Sequence, residues 1–313
     1  MTPAPADRGR TVTVSAVRPV ADRLVEVLLV AGDGTPLPRW TPGAHVDLVL
    51  PTGLTRPYSL AGDPGDGRSW RLLVARSADQ DGAGAYVHDV LRPGHVLRVR
   101  GPRQLFAVGG APRYLFASAG AGIAPLLPMA RLVRSARVYP WSLVHVDRSG
   151  PGTPLGQEVA DLGPAARTVA DRASLLEVVA AAQPGTSVYA CGSSRLVQAV
   201  AEAAAPGVQV HVQRFDAPTR TTGADRAYEV VLARRGERMQ VAAGTNLLTT
   251  LHAAGAEVAV SCGVGICGAC VVGIVEGAVE HRDSVLTGQE RAAGRLIVTC
   301  VSTAAEARLV LDL

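Results

Sequence analysis

SCGVGICGAC, running from Ser261 to Cys270, sets Cys262, Cys267 and Cys270 in the spacing C-x4-C-x2-C, and Cys300 follows after a further 29 residues. Four thiolates in that order are what a plant-type [2Fe-2S] cluster needs. A zinc ribbon would use two close pairs. Here three ligands share one tight loop and the fourth arrives alone, which suits a two-iron rhomb held by a loop on one side and by a strand on the other. A zinc site or reduced structural cysteines are the competing readings. Gly263, Gly265 and Gly268 let the loop curl with positive φ and bring backbone N–H groups close to sulfur, where they favour the reduced, more negative cluster.

Downstream and upstream of this loop the C-terminal region reads as short strands and one helix. YEVVLAR and RMQVAAG form a hairpin-like pair, TNLLTTLHAAG a short helix, and VVGIVEG, LIVTCVS and ARLVLDL further strands. That succession predicts a β-grasp arrangement around the cysteine loop. His281, Asp283, Ser284 and Val285 form a polar group suited to capping a turn. The segment APTRTTGADR before the region is polar and lacks apolar periodicity, so it reads as a linker.

The middle of the chain alternates strands and helices. RYLFASAG, AGIAPLLPMARLVRSA, WSLVHVDRSG, SVYACGSSRLVQAVAEAAA and VQVHVQRF predict a parallel sheet with crossover helices. Ligands bind such sheets beyond the carboxyl ends of the strands. Gly120, Gly122, Ile123 and Pro125 lie where a strand gives way to a helix, the context a dinucleotide pyrophosphate requires, although GAGIAP is not a full G-x-G-x-x-G. Arg148 and Ser149 are placed to meet the ribose of a bound nucleotide, or Arg148 is simply an exposed loop residue. At Cys191 and Gly192 a thiol and a bare backbone could approach a nicotinamide ring; the alternative is a buried packing cysteine.

The first hundred residues carry regular short strands: TVTVSAV, LVEVLLV, HVDLVLP, WRLLVAR and VLRVRGP. They predict a small antiparallel barrel. On the alternating stretch RPYSL, Arg56, Tyr58 and Leu60 share one face, which would suit a flavin: an aromatic ring for the isoalloxazine and a guanidinium for a phosphate. An exposed strand arginine beside a core tyrosine is the plainer reading. The glycine-bearing turn at Gly82 and Gly84 opens a short helix whose free N–H groups form a phosphate seat, or a plain loop and helix. His88 in that helix reads as structural.

Composition bounds the rest. The chain has 313 residues, 48% hydrophobic, with 34 glycines and a net charge of +4 with both signs well mixed. Two or three domains fit that length. No basic stripe points to nucleic acid, and no run of 18 apolar residues or secretory leader appears, so no membrane anchor and a cytoplasmic location are expected. Five cysteines, four spent on one constellation, argue for a reducing compartment rather than a disulfide framework.

A barrel with RPYSL, a nucleotide-type sheet with GAGIAP and YACGS, and a C-terminal SCGVGICGAC with its distant Cys300 occur in one order. This order resembles the phthalate dioxygenase reductase family, which includes the reductases of vanillate and phenoxybenzoate oxygenases. The likeness runs from about residue 8 to residue 313, and HRDSVLT, the cysteine loop and ARLVLDL carry it most specifically. The resemblance implies a multidomain chain: a flavin-binding antiparallel β-barrel over 8–108, an NAD-binding α/β parallel-sheet domain over 109–216, a linker over 217–226 and a β-grasp [2Fe-2S] ferredoxin domain over 227–313. It implies FMN, NADH and the cluster as cofactors, with hydride passing from NADH to FMN and single electrons leaving through iron to an oxygenase component, a Rieske enzyme or a cytochrome P450. A monomer is expected.

Carried over by residue, the family's flavin strand matches Arg56, Pro57, Tyr58 and Ser59, its second flavin-facing strand Val74 and Ala75, and its phosphate turn Gly82, Gly84 and Ala85. Ala85 stands where the family commonly has serine, Ser193 replaces a proline, and Gln213 replaces a glutamate before Arg214 and Phe215. Phe215 resembles the family's aromatic near the flavin; an interdomain packing residue is the alternative. Ser59 would bond the flavin ring and Cys191 flank the hydride path, while Cys262, Cys267, Cys270 and Cys300 hold the cluster. The other readings kept open are an FAD- or NADPH-using reductase and a redox sensor without turnover.

Overall fold

The structure is a computed structural model that describes residues 9–76, 82–215, 226–286 and 288–313, without the side chain of residue 289. By its contacts the chain divides into two compact units, Met1–Phe215 and Asp216–Leu313. Of the expected linker, all but Arg226 lies outside the described residues.

The first unit begins with strands β1 (Arg10–Ala21), β2 (Leu24–Ala31), β3 (Ala44–Val49), β4 (Thr55–Ser59) and β5 (Ser69–Ala75), then helix α1 (Ala83–Asp89) and strand β6 (Val96–Gln104). They form one six-stranded sheet in the order β4-β3-β6-β1-β2-β5, antiparallel throughout. A bridge between Leu60 and Leu72 joins the two outer strands and closes the sheet into a barrel, so its edge groups find partners. Alternation supplies the core: Val12, Val14, Val27, Leu29, Val46, Leu48, Leu72 and Val99 are buried, and Trp70 fills the interior beside them.

An α/β layer follows: β7 (Arg113–Ala119), α2 (Ile123–Ala136), β8 (Trp141–Val146), α3 (Pro154–Ala160), β9 (Ala166–Val169), α4 (Arg172–Ala180), β10 (Thr186–Gly192), α5 (Ser194–Ala203) and β11 (Gln209–Arg214). The strands are all parallel, in the order β11-β10-β7-β8-β9. The order reverses between β7 and β10, which fixes where a ligand crevice opens. Helices α4 and α5 cover one face through Leu175, Val179, Leu196 and Val200. On the other, α2 and α3 pack with Phe116 and Tyr189 into a core that also takes Val20, Leu24, Leu73 and Phe106 from the barrel side.

Sequence reading passed over α3, β9 and α4. Two cap signals were present: Thr153 accepts the N–H of Gly156 at 3.0 Å ahead of Pro154, and Asp171 accepts that of Ser174 at 2.8 Å. Strand β9 is four residues long, too short for a period to declare itself.

The second unit holds β12 (Tyr228–Leu232), β13 (Glu237–Val241), α6 (Leu247–Ala253), β14 (Val271–Glu276), β15 (Val279–Glu280), α7 (Gly288–Ala293), β16 (Leu296–Val298), β17 (Thr303–Ala304) and β18 (Arg308–Leu311). Its main sheet runs β13-β12-β18-β14-β16, with β12 and β18 parallel, and α6 buries Leu247, Leu248 and Leu251 in its core. This is the β-grasp arrangement.

Barrel and α/β layer are joined by a charged node. Arg71 of β5 holds Glu26 at 2.5 Å and grips both carboxylate oxygens of Glu158 of α3 at 2.7 Å, while Arg131 of α2 reaches the same carboxylate at 2.5 Å. Burial pushes Glu158 up, but its bonds and charge attraction to Arg71 and Arg131 prevail and hold its carboxyl below the usual range. Because the folded value is depressed, this stabilisation is complete above the unfolded value of about 4.3 and is lost as pH falls through the folded one. Glu158→Gln should therefore lower stability by about 3 kcal/mol at pH 7. Denaturant melts would check this, and the gap from wild type should narrow progressively as the pH falls below about 4.3.

Candidate active site

The cysteine loop of the second unit has no regular structure because its glycines bend it. Gly263, Gly265 and Gly268 have φ of 67°, 76° and 66°, the left-handed region that a side chain rarely enters. All four cysteines are buried, between 3% and 6% exposed. Among the described residues no three His, Cys, Asp or Glu side chains converge as a single metal ion requires. The sulfurs instead fall into two pairs within hydrogen-bond reach, Cys262 with Cys267 and Cys270 with Cys300. Two pairs would serve two irons, one pair for each.

Within each pair one thiol donates to the other. That bond, with backbone N–H groups of Val264, Ile266 and Cys267, lowers Cys262 to about 5, and a bond from Cys300 lowers Cys270 to about 7. Their partners Cys267 and Cys300 are pushed up for the same reason. The donor set is thus soft sulfur already surrounded by N–H groups, and it fits a [2Fe-2S] cluster. Supports lie behind it: Thr299 Oγ1 donates to the Cys270 carbonyl at 3.0 Å, and the Asn246 amide, which caps α6, donates to the Cys300 carbonyl. Asp283 accepts the N–H groups of Val285 and Leu286 at 3.0 and 2.8 Å, and Ser284 donates to the Gly265 carbonyl at 2.9 Å. Gly263 is exposed, so one side of the loop meets the surface.

In the first unit, β4 carries the residues of RPYSL. Register pairs Arg56 with Leu48 and Tyr58 with Val46, so these two share the barrel-facing side, and Ser59 pairs with His45 on the other. Arg56 bonds the Thr55 carbonyl at 2.9 Å and makes no ion pair among the described residues. Burial pushes the Tyr58 phenol up to about 12, so it stays protonated. The Ser59 hydroxyl is buried without a partner. Gly82 opens α1 with no side-chain cap, and Ala83, Gly84 and Ala85 are buried behind it. A guanidinium with no ion pair among the described residues, an orphaned buried hydroxyl and an uncapped helix start fit a phosphate-bearing flavin. Pro57 is half-buried in the same strand. Val74 lies in the barrel core with its carbonyl taking a bond from His88 Nε2 at 3.0 Å, so of Val74 and Ala75 only Ala75 presents much surface. His88 is structural.

At the carboxyl ends of the parallel strands lies a cleft of about 570 Å³ lined by Gly120, Asp147, Arg148 and Ser149, all at strand ends that the sequence marks, together with Arg172 and Arg195, which the sequence does not mark. The last two follow the N-caps Asp171 and Ser193, and those caps were the available signal. Ser149 also accepts the Asp22 N–H at 3.0 Å, tying this loop to the barrel. Gly120 has φ 53°, and a Cβ on Gly122 would sit 2.1 Å from the Cys191 carbonyl oxygen, so both glycines are required. Ile123 and Pro125 are buried in the first turn of α2, where the missing N–H of proline costs little. Cys191 is fully buried, which raises its thiol pKa, and it packs beneath the turn without reaching the cleft surface. Phe215 donates its N–H to the Gly192 carbonyl at 3.0 Å and leaves its ring 37% exposed.

Comparison with known proteins gives this geometry a context. The "2Fe-2S iron-sulfur cluster binding domain" family matches residues 230–305. The phenoxybenzoate dioxygenase subunit beta of Ectopseudomonas oleovorans is 37% identical over 280 residues, 87% of each chain. The solved phthalate dioxygenase reductase, "a modular structure for electron transfer from pyridine nucleotides to [2Fe-2S]", is 27% identical with a TM-score of 0.66, covering 98% of both chains. The chain belongs to the phthalate dioxygenase reductase family. It is an electron-transfer oxidoreductase of oxygenase systems, with FMN, NADH and a [2Fe-2S] cluster as its cofactors. The reductase also matches an intact type IV self-sufficient cytochrome P450 monooxygenase, 33% identical with a TM-score of 0.87, covering all of this chain and 43% of that one. No helix among its described residues is long and apolar enough to cross a membrane.

In the reductase Gly265 has no room for a methyl group, since a Cβ there would meet Val301 Cγ2 at 2.6 Å and Asp283 Cα at 3.3 Å. Gly265→Ala should leave the purified protein with less than half the wild-type iron and sulfide while FMN content is unchanged, as metal analysis and absorbance would report.

Proposed function

We propose that the reductase is the cytoplasmic electron-supplying component of an oxygenase system, organised as a flavin-binding domain over 8–108, an NAD-binding domain over 109–216, a linker over 217–226 and a ferredoxin domain over 227–313. Its acceptor is a Rieske oxygenase or a cytochrome P450. The observation that carries this reading is the division of four buried sulfurs into two pairs, one pair for each iron.

A bound flavin supplies the conversion of a hydride pair into single electrons. The residues of the chain bind and orient. Arg56, without an ion pair among the described residues, holds the flavin phosphate together with the N–H groups from Gly82 to Ala85, and Ser59 bonds the ring. Tyr58 stays a neutral aromatic surface, with Pro57 and Ala75 beside it and Val74 beneath. Gly120 and Gly122 let the backbone approach the pyrophosphate, with Ile123 and Pro125 fixing the helix start, and Arg148 and Ser149 hold the ribose. Gly192 and Phe215 flank the hydride path, and Cys191 packs behind them. Cys262, Cys267, Cys270 and Cys300 hold the irons, and the exposed side of their loop at Gly263 is where an acceptor would dock.

Two substitutions separate the steps. Cys270→Ser should abolish NADH-driven cytochrome c reduction while flavin bleaching by NADH continues; loss of bleaching in a folded protein would overturn the proposed electron order. Arg56→Ala should weaken FMN binding at least tenfold, about 1.4 kcal/mol, in a fluorescence titration. Unchanged affinity would remove Arg56 from the site.

A further inference from the structure

His45 is the least explained side chain of the barrel. It is 2% exposed, and neither ring nitrogen has a hydrogen-bond partner among the described residues. Buried polar atoms are rarely left this way, because a group stripped of water and given no replacement destabilises the fold. Two further orphans surround it. Ser59 Oγ, in the register position opposite His45 on β4, has no partner, and neither does Oδ1 of Asp47, two residues along β3 on the same face. Register partners in an antiparallel pair point to one side, with Cβ atoms about 5 Å apart. On the other flank β6 brings Arg103 opposite His45, and its guanidinium pairs with Asp47 Oδ2. Three side chains, each with at least one polar atom unpartnered among the described residues, therefore form one row on one face.

His45 is also kept neutral. Burial lowers it most and the Arg103 charge lowers it further, to about 4, against the opposite pull of Asp47. A neutral imidazole has one bare nitrogen that accepts and one N–H that donates.

The flavin assignment of Ser59 gives this row a use. The flavin nitrogen that receives a hydride, N5, carries a lone pair before reduction and an N–H after it. A single hydroxyl that serves both forms donates to N5 in the first and accepts from N5–H in the second, and in the second its own proton needs another acceptor. We infer that His45 is that acceptor: a positioning residue across the strand from Ser59 that lets the hydroxyl reverse its bond to the flavin when the ring is reduced. Ser59 Oγ and the imidazole are not bonded to each other in the structure, so the Ser59 side chain turns toward the imidazole when the flavin is reduced, and no proton or electron passes to His45. The His45 N–H then has Asp47 Oδ1 as an unpartnered acceptor two residues along its own strand face. The inference rests on the flavin reading of Ser59 given above.

The full-length FMN-loaded protein tests it. The dissociation constant of oxidised FMN and the flavin midpoint potential, read from its absorbance against a redox dye, are compared for wild type, His45→Leu, His45→Phe, His45→Gln and Ser59→Ala. Replacing His45 by Leu or Phe should leave oxidised FMN affinity within about threefold of wild type, since in that state Ser59 donates to N5 without help. The same variants should bind reduced FMN about tenfold less well relative to oxidised, a fall of about 30 mV for a two-electron couple. Glutamine, which keeps an acceptor, should recover most of that shift, and His45→Leu added to Ser59→Ala should lower the potential no further. An unchanged potential in both apolar variants, or an equal extra shift in the Ser59→Ala background, would overturn the role of His45 and leave the flavin site standing. If Ser59→Ala itself left the potential of bound FMN unchanged, the flavin reading of Ser59 would fall first and the inference with it.

Discussion

Four sulfurs that must be buried and must also give up their protons are the constraint on which the C-terminal unit depends. Burial alone would keep the thiols protonated, and Cys191, buried in the first unit with no charge partner, shows that outcome. Around Cys262, Cys267, Cys270 and Cys300 the backbone is bent so that N–H groups face the sulfurs. That bending demands positive φ at three glycines, and the bent loop in turn needs anchoring from outside. Asp283 and Ser284 supply the anchor on one side, Thr299 and Asn246 on the other. The polar group from His281 to Val285, which the sequence marks only as a turn cap, is therefore part of the support for the cluster.

In the first unit the corresponding demand is that a strand site and a sheet cleft keep their places. Glu158 answers it by accepting from one arginine of the barrel and one of α2, and an apolar core continues across the same junction from Leu24 and Leu73 to Ile123 and Met129. The bond from the Asp22 N–H to Ser149 then ties the loop after β8 to the barrel directly. Where β7 meets β10 the approach is so close that only hydrogen fits on Gly122. The turn that opens α2 is thus seated on the backbone of the strand that ends in Cys191 and Gly192.

The sequence made the architecture legible wherever a residue type had one physical use. Cysteine spacing with interleaved glycines declared the cluster loop, alternation declared the barrel strands, and apolar runs followed by helical periods declared the parallel sheet. What stayed hidden depended on partners distant in the chain. Nothing local distinguishes Arg71 from an ordinary strand arginine, since its role is set by Glu26, 45 residues away, and Glu158, 87 residues away. Arg172 and Arg195 enter the cleft only because the sheet brings the starts of α4 and α5 to one rim. Likewise Cys191 stands at a strand end that invites a role at the nicotinamide, and only packing reveals that its thiol faces the core. His45 carries no motif at all, and its interest comes from the register that sets it opposite Ser59.

The bridge between Leu60 and Leu72 comes one residue after Ser59. Residues that grip a ligand often ride on loops, which adapt to what they hold and drift when empty. In the flavin site proposed above, strand β4 is stitched into the ring on both margins, by β3 along its length and by β5 at its end. Any wandering of the hydroxyl would have to distort the whole hoop of strands, so the pocket behaves as part of the frame and is already shaped before its guest arrives.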